Sequence, residues 1–387
     1  MYQLRINDLT TAQFLSQYWQ KQPLLIKSGF SNFIDPIEPE ELAGLAMEES
    51  IESRLITNHN DDWQAHHGPF EDFTLLTPEN STLLVQAVDH WHPEAAQLLT
   101  PFRFIPNWRI DDLMISYSTP GGGVGPHLDQ YDVFIIQGQG KRHWRVGLPD
   151  QNLKQFAKNK SLLQVEPFEA IIDSVLEPGD ILYIPPGCPH EGYAVENALN
   201  YSVGFRAPDQ KDLVSSFADY LIDHELGNTR YSDPDLLTPK SIGQISDTEI
   251  NNVRKLMQDV LADDNTFKHW FGTMISQAKH DIDLAPLDEP LSVDDLQEYL
   301  ETSEVIIRAG GVRSMYQVLR HSILLSVNGE SYTLPLETLE SVKLLTDETE
   351  FTVSQIKESF SCLEFMKTLT KLISEGTYYL QEDDEFE

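Results

Sequence analysis

Cysteine is nearly absent from this sequence: only Cys188 and Cys362 occur among 387 residues, and they lie far apart. Two distant thiols exclude a disulfide-rich scaffold and a cysteine-based zinc site, and they suit a reducing compartment. The first residues lack a basic segment followed by an apolar run, so no signal peptide is predicted. No stretch approaches the roughly 20 apolar residues that span a bilayer. We therefore expect a cytoplasmic protein with no membrane contact.

Positive charge is also scarce, because Lys and Arg number 27 against 62 Asp and Glu, a net charge of −35. No run of Lys and Arg could neutralise a row of phosphates, which disfavours direct nucleic-acid binding. An acidic surface attracts basic partners at long range, although the same charge also simply aids solubility. Hydrophobic residues make up 40% of the chain. That is enough to fill the cores of the two or three domains that this length predicts.

Short strands dominate the part of the chain from about residue 110 to residue 205. Before it, a capping box of Thr10 and Gln13 predicts the start of a helix that ends before Pro23. Residues 24–27 are predicted to form a strand. A mixed α/β region follows, with a helix at 39–47. Gly and Pro breakers then separate apolar runs typical of strands. These runs are 112–118, 131–137, 143–147, 170–176, 180–185 and 200–205. Many short strands with regular turns predict a barrel or sandwich.

Helical periodicity replaces the strand pattern after Pro208. Three helices are predicted, the second opening at a capping box of Ser246 and Glu249 and the third capped by Asn265. The apolar residues of the second helix are expected to point inward; they are Ile250, Val253, Met257, Val260 and Leu261. Three helices are too few to surround a large core. We expect residues 209–282 to dimerise, with packing against the barrel as the alternative.

The last part of the chain, residues 283–387, has the pattern of a winged-helix-like domain. A Pro-rich linker at 284–290 precedes a helix at 292–300 and a strand at 305–307, and a hairpin turns at Asn328-Gly329. Helices are predicted at 336–345 and 353–374, and the acidic tail 381–387 is expected to be solvated. Residues 281–387 contain 7 Lys and Arg against 23 Asp and Glu, so the local charge is 7 − 23 = −16. A structural or protein-contact role is therefore expected rather than DNA binding.

The pattern His-x-Asp occurs twice, at His59-Asn-Asp61 and at His127-Leu-Asp129. Residues i and i+2 of a strand point to the same side, so the pattern can supply two metal ligands together. Non-haem iron oxygenases need two imidazoles and one carboxylate on one face of the metal. The first pair sits in a polar stretch that predicts a turn without strands around it. The second follows GGGVGP and leads into a strand, which favours it as part of a site.

A third ligand must come from a distant segment that folds alongside the first two. His143 is close in sequence but comes just after a predicted hairpin turn. His190 follows a buried strand and the rigid Pro185-Pro186 corner, which can fix the approach of the imidazole to a metal. The predicted iron ligands are therefore His127, Asp129 and His190.

Two long segments carry a family resemblance. DDLMISYSTPGGGVGPHLDQYDVFIIQGQGKRHWRVG and LEPGDILYIPPGCPHEGYAVENALNYSVGFRAP closely resemble the bacterial JmjC ribosomal oxygenases, which are arginine 3-hydroxylases acting on large-subunit ribosomal protein number sixteen. QYWQKQPLLIKSGFSNFIDPI and YSDPD extend the resemblance. It implies an α+β chain: a double-stranded β-helix of the JmjC/cupin type at 1–208, a helical dimerisation region at 209–282 and a winged helix at 283–387. A homodimer is the implied assembly.

The same resemblance implies the cofactors and the site. Fe(II) is the metal, 2-oxoglutarate and dioxygen are cosubstrates, and decarboxylation of 2-oxoglutarate to succinate is coupled to hydroxylation. Arg142 matches the residue that pairs with the distal carboxylate of 2-oxoglutarate, with Lys141 and Arg145 as alternatives. Ser116 and Asn200 match positions that contact the cosubstrate.

The substrate that the resemblance implies is a basic ribosomal protein. Acidic residues near the mouth of the barrel are candidates for holding the target guanidinium; they are Asp111, Asp112 and Glu191. Three alternatives stay open at this point. The chain could act on another basic protein, by histidine hydroxylation or lysine demethylation; it could be a non-catalytic cupin-like binding protein; or it could be a DNA-associated regulator.

Overall fold

A computed structural model describes residues 2–158, 162–239 and 241–382. The N-terminal part contains helices and strands in an order that begins with short helices and becomes almost entirely β. The helices are α1 Thr11–Gln17, α2 Pro39–Leu45 and α3 Pro93–Ala96. The strands are β1 Leu24–Ile26, β2 Ser53–His59, β3 Asp62–His67, β4 Ser81–Val85, β5 Ile110–Ser118, β6 Val133–Gln137, β7 Arg142–Gly147, β8 Gln155–Ala157, β9 Leu163–Val165, β10 Ala170–Leu176, β11 Ile181–Ile184, β12 His190–Ala194 and β13 Ala198–Phe205.

Two antiparallel sheets face each other in this part. The large sheet has the order β1-β11-β6-β13-β5-β4-β2-β3, and the small sheet has the order β10-β7-β12. One face of the large sheet packs against the N-terminal helices around Phe14, Phe134 and Tyr183. Its other face meets the small sheet, where Ile135 and Leu182 pack with Trp144. This arrangement confirms the predicted double-stranded β-helix.

The strand runs and first helix predicted from sequence are confirmed, and some strands were missed. Thr10 caps α1 through a capping box with Gln13. The mixed α/β region predicted before residue 110 contains β2, β3 and β4, whose positions sequence reasoning did not assign. His59 ends β2 and Asp62 begins β3. The turn predicted for His59-Asn-Asp61 is therefore present, but the expectation that no strands surround it was wrong.

Three helices follow the barrel: α4 Gln210–Asp223, α5 Asp247–Leu261 and α6 Asp264–Ser276. The capping box that opens α5 is confirmed, whereas α6 is capped by Asp263 rather than by Asn265. The inward orientation predicted for the apolar residues of α5 was wrong, because this helix buries none of its residues. α6 instead buries Trp270 and Ile275 and packs on the C-terminal domain.

The C-terminal domain combines helices with two three-stranded sheets, β18-β14-β19 and β15-β16-β17. Its elements are α7 Val293–Thr302, β14 Ser303–Arg308, β15 Ser314–Val318, β16 Ser322–Val327, β17 Glu330–Pro335, α8 Leu339–Asp347, β18 Glu350–Thr352, α9 Val353–Ile356, α10 Leu363–Ser374 and β19 Tyr378–Glu382. The hairpin at Asn328-Gly329 is confirmed. The helix predicted at 353–374 is divided, because Cys362 has an extended backbone before α10. Residues 383–387 of the acidic tail lie outside the described part of the chain.

Candidate active site

The main chains of His127 and His190 bring two predicted ligands together. The amide of His127 donates to the carbonyl of His190 at 2.9 Å, and the amide of His190 donates to the carbonyl of His127 at 2.8 Å. The glycine-rich loop before His127 permits this approach. A Cβ atom on Gly123 would lie 2.3 Å from the carbonyl oxygen of Gly192, which is closer than real side chains come. A glycine at position 123 is thus required by the close passage of the loop over β12.

The side chains of His127, Asp129 and His190 converge. Their potential ligand atoms all lie within 4.8 Å of one another. The imidazole centroids of the two histidines are 4.2 Å apart, and Nε2 of His190 lies 3.6 Å from Oδ2 of Asp129. Across residues 2–158, 162–239 and 241–382, no other group of three or more His, Cys, Asp or Glu residues comes together in this way.

Hydrogen bonds to main-chain carbonyls orient both imidazoles. Nδ1 of His127 lies 2.9 Å from the Gly125 oxygen, and Nδ1 of His190 lies 3.0 Å from the Cys188 oxygen. A carbonyl oxygen only accepts, so Nδ1 carries a proton, and in the neutral imidazole Nε2 then has the lone pair that a metal needs. Burial, with a smaller contribution from His127, lowers the pKa of His190 to about 4. Two neutral imidazoles and one carboxylate fit the donor set of a non-haem Fe(II) site.

Arg142, the first residue of β7, is a buried cation on the inner face of the barrel, only 3% exposed. Nη1 donates to Oγ of Ser118 at 3.0 Å and to Oδ1 of Asn200 at 3.3 Å, and Nη2 donates to the Gly192 oxygen at 3.1 Å. Among the described residues, its Nε has no acceptor and no carboxylate forms an ion pair with it. Burial lowers its pKa to about 10, so it stays charged at neutral pH. A buried cation without a counter-ion is unfavourable, and a carboxylate of a bound ligand would compensate it.

Ser116 and Asn200 lie on the same inner surface, directly opposite each other on β5 and β13. Asn200 contacts Arg142 and also donates from Nδ2 to Oε1 of Gln137 at 2.8 Å. The hydroxyl that contacts Arg142, however, is that of Ser118, two residues after Ser116 on the same strand face. Sequence reasoning missed Ser118 and Gln137. The i, i+2 spacing of the two serines was the signal that could have indicated Ser118.

The alternatives to these residues point away from the interior. His143 follows Arg142 on β7, so its side chain projects from the opposite face of the strand. Its Nε2 lies 2.6 Å from Oδ1 of Asp173. Lys141 is paired with Glu177 at 2.6 Å. In the described part of the chain, neither side chain forms a hydrogen bond or ion pair with His127, Asp129 or His190.

The acidic residues expected to hold a substrate guanidinium are already engaged within the chain. Asp111 contacts Arg206, Lys279 and Arg313, and Glu191 contacts Arg145. The Asp112 side chain is 13% exposed; its Oδ2 accepts from the Ala87 amide at 3.1 Å and lies 3.8 Å from Nε2 of His280. Burial, with the nearby carboxylates of Asp89 and Asp111, raises the pKa of Asp112 to about 7. In this state the chain's own cations contact Asp111 and Glu191, so a role of the three carboxylates in holding a substrate guanidinium stays a prediction.

Comparisons with known proteins agree with this geometry. Residues 97–213 match the family model described as JmjC domain, and residues 256–379 match the one described as ROXA-like winged helix. The chain is 49% identical over 380 residues to "Ribosomal protein uL16 3-hydroxylase" of Escherichia coli, covering 98% of this chain and 99% of the relative.

Two solved structures from Escherichia coli are similar along the whole length. The X-ray structure of YcfD has a TM-score of 0.91 and 48% identity, covering 98% of this chain and 100% of that chain. The structure of YcfD, a ribosomal oxygenase, in complex with cobalt and 2-oxoglutarate has a TM-score of 0.88 and 47% identity, with the same coverage. The extent of identity, together with the barrel and its clustered His127, Asp129 and His190, leaves one assignment: the chain belongs to the family of JmjC-domain ribosomal oxygenases.

Proposed function

We propose that this chain is an Fe(II)- and 2-oxoglutarate-dependent hydroxylase that uses dioxygen to 3-hydroxylate an arginine of ribosomal protein uL16. The 49%-identical Escherichia coli relative supports the substrate, and the bound 2-oxoglutarate of the similar structure supports the cosubstrate. The observation that carries the proposal is the buried, uncompensated guanidinium of Arg142 on the same inner surface as the His-Asp-His cluster.

The residues have separate tasks in this proposal. His127, Asp129 and His190 hold Fe(II) from one side and leave its other positions open. Arg142 pairs with the distal carboxylate of 2-oxoglutarate, while Ser116 and Asn200 line the cosubstrate's position. Iron with its two cosubstrates supplies the oxidising power for hydroxylation at an unactivated carbon. The chain therefore needs no general base at that carbon, and its contribution is ligation, orientation and exclusion of water by the apolar walls around Trp144 and Val146.

The substrate class agrees with the charge of the chain. A net charge of −35 attracts a basic ribosomal protein over long distances. We place the reaction in the cytoplasm, because ribosomal proteins are found there. In the described ranges, no helix has the length and apolar character needed to cross a membrane.

We propose three regions: the oxygenase domain at 1–208, a helical dimerisation region at 209–282 and a winged-helix-like domain at 283–387. The exposed apolar face of α5, formed by Ile250, Val253, Met257 and Leu261, supports a homodimer. α6 packs on the C-terminal sheet, so it connects the second region to the third. The charge of −16 over residues 281–387 supports a role without direct nucleic-acid binding.

The test is hydroxylation of purified uL16 with Fe(II) and 2-oxoglutarate, read by intact mass and by fragment mapping. The proposal expects uL16 to gain the mass of one oxygen atom, located at the β-carbon of one arginine. Oxygen on a histidine, or loss of a methyl group from a lysine, would instead favour a different reaction on the same protein. No mass change of uL16 while metal and 2-oxoglutarate both bind would favour another basic substrate or a non-catalytic binding protein.

A further inference from the structure

Trp144 lies beside the region that separates Arg142 from the proposed metal ligands. It follows Arg142 by two residues on β7, so both side chains project from the same face of the strand, into the barrel. The Cζ atom of Arg142 lies 5.1 Å from the centroid of the Trp144 ring. On the other side, the ring centroid is 6.1 Å from that of His190. The indole is therefore positioned between the two ends of the proposed cosubstrate site.

The indole N–H of Trp144 is buried without an acceptor in the part of the chain that the structure describes. Trp144 is 6% exposed, and its buried Nε1 finds no hydrogen-bond partner among the described residues. An indole nitrogen can only donate, and buried donors in folded proteins are nearly always paired. The Nε atom of Arg142 is a second buried donor in the same interior that has no acceptor in the described ranges. Two neighbouring unpaired donors indicate that a ligand with several acceptor oxygens completes the pairing.

The ring is held by packing against Gly192 and the core. Gly192 lies directly opposite Trp144 in the register of β12 and β7. A Cβ atom at Gly192 would lie 2.7 Å from the Cδ2 and Cε2 atoms of the indole, so the ring occupies the volume that a side chain would take there. The ring also packs in the core with Val146 and Leu182. Its N–H direction is thus set by packing before any ligand binds.

We infer that Nε1 of Trp144 donates a hydrogen bond to a carboxylate oxygen of bound 2-oxoglutarate. The inference rests on the proposed function, because that function supplies the dicarboxylate. A ligand that reaches from the metal ligands to Arg142 must pass the indole, and a carboxylate has enough lone pairs to accept from Trp144 as well as from Arg142. The indole contributes a neutral donor whose geometry is already fixed, and Arg142 contributes the charge.

The first experiment is Trp144→Phe, which keeps an aromatic ring near Arg142 and removes the N–H. Calorimetric titration of 2-oxoglutarate into Mn(II)-loaded protein without dioxygen measures binding independently of turnover. We expect the affinity for 2-oxoglutarate to fall about tenfold or more, as is typical for loss of a hydrogen bond to a charged group. The affinity for Mn(II) itself should be unchanged. The matched control is Trp270→Phe on α6, where the buried indole already donates to Oγ of Ser216 at 3.0 Å. This control should keep wild-type affinity for 2-oxoglutarate.

A second measurement separates the hydrogen bond from packing. The sequence contains six tryptophans, so the indole signal of Trp144 can be assigned as the one missing from the Trp144→Phe spectrum of 15N-labelled protein. Adding 2-oxoglutarate to Zn(II)-loaded wild-type protein should move this signal downfield. An unmoved indole signal would overturn the inference, even if Trp144→Phe binds more weakly, since packing alone would then explain the loss. Failure of the wild-type protein to bind 2-oxoglutarate with any metal would instead overturn the proposed function.

Discussion

Oδ2 of Asp129 lies 3.6 Å from Nε2 of His190, although the two residues are supplied by a loop and by a strand that are distant in the chain. This contact predicts that the Asp129 carboxylate is a ligand of the metal, and Asp129→Ala removes that ligand. We expect Mn(II) affinity to fall by at least about 100-fold, because loss of even an outer partner of a metal ligand typically costs 10–100-fold. Hydroxylation of uL16 should be abolished, and calorimetry and intact mass measure the two effects.

Asp61→Ala is the matched control, because Asp61 belongs to the other His-x-Asp pattern. Asp61 lies in the hairpin turn between β2 and β3 and is paired with Lys158 at 2.7 Å. Its replacement should leave Mn(II) affinity unchanged. Equal metal affinity in the Asp129→Ala variant and the wild-type protein would refute the assignment of Asp129.

Arg142→Met should remove 2-oxoglutarate binding while sparing the metal site. Two or more charge-assisted hydrogen bonds are lost, each contributing about 1.5–3 kcal/mol, so affinity should fall by about 100-fold or more. Thermal denaturation of Mn(II)-loaded protein checks this: 2-oxoglutarate should raise the Tm of the wild-type protein and leave that of the variant unchanged. Lys141→Met, which removes an exposed lysine paired with Glu177, should respond as the wild type does. A variant without Arg142 that is still stabilised by 2-oxoglutarate would contradict the proposal.

The pKa of Asp112 predicts a loss of stability with rising pH. Burial and the neighbouring carboxylates of Asp89 and Asp111 raise this pKa from 3.8 to about 7. The folded protein thus binds more protons than the unfolded chain between these values. The contribution of the protonated carboxyl is present below pH 3.8 and is lost as the pH rises through about 7. Asp112→Asn keeps a neutral side chain and the acceptor for the Ala87 amide.

We expect Asp112→Asn to be more stable than the wild type at pH 8, by about 1–3 kcal/mol, and equally stable near pH 4. Urea unfolding of the metal-free proteins across this range measures the difference. A constant difference at all pH values would show that Asp112 does not titrate in this range.

Higher ionic strength should reduce kcat/KM for uL16 more than it changes the KM for 2-oxoglutarate. A chain with a net charge of −35 attracts a basic substrate at long range. Salt shortens that range, because the Debye length falls from about 30 Å at 0.01 M to about 10 Å at 0.1 M ionic strength. We expect kcat/KM for uL16 to fall over this range. The KM for 2-oxoglutarate should change less, because Arg142 is buried and poorly screened. Turnover on uL16 that is independent of salt would mean that the net charge has no role in substrate capture.

The metal site could be predicted from sequence because its signals are local. His127 and Asp129 lie two residues apart between the glycine-rich loop and β6, and turn residues mark the strands around them. The choice between Ser116 and Ser118 could not be made in the same way. Both hydroxyls lie on one face of β5, and which one meets Arg142 depends on how the small sheet sits over the large one. No local pattern encodes that relationship.

Strand β4 was missed for a different reason. β4 is buried on both faces, so Ser81 and Thr82 lie in the interior and no alternation of polar and apolar residues marks the strand. The apolar stripe of α5 was recognised, but its orientation was not. Periodicity shows that one face of a helix is apolar without showing what covers it.

That exposed stripe predicts the effect of Met257→Glu on assembly. Met257 is 62% exposed at the centre of the apolar face of α5, and Leu237 and Ile242 of the preceding segment are also exposed. If a second copy covers this face, an unpaired carboxylate placed there costs about 3–5 kcal/mol, which weakens the dimer by at least about 100-fold. Light scattering after size exclusion should then give a monomer for Met257→Glu. Gln258→Glu adds the same charge on the same turn beside the stripe and should remain a dimer. A Met257→Glu protein with the wild-type mass would place any dimer contact elsewhere, because a buried carboxylate at the centre of the interface would not be tolerated.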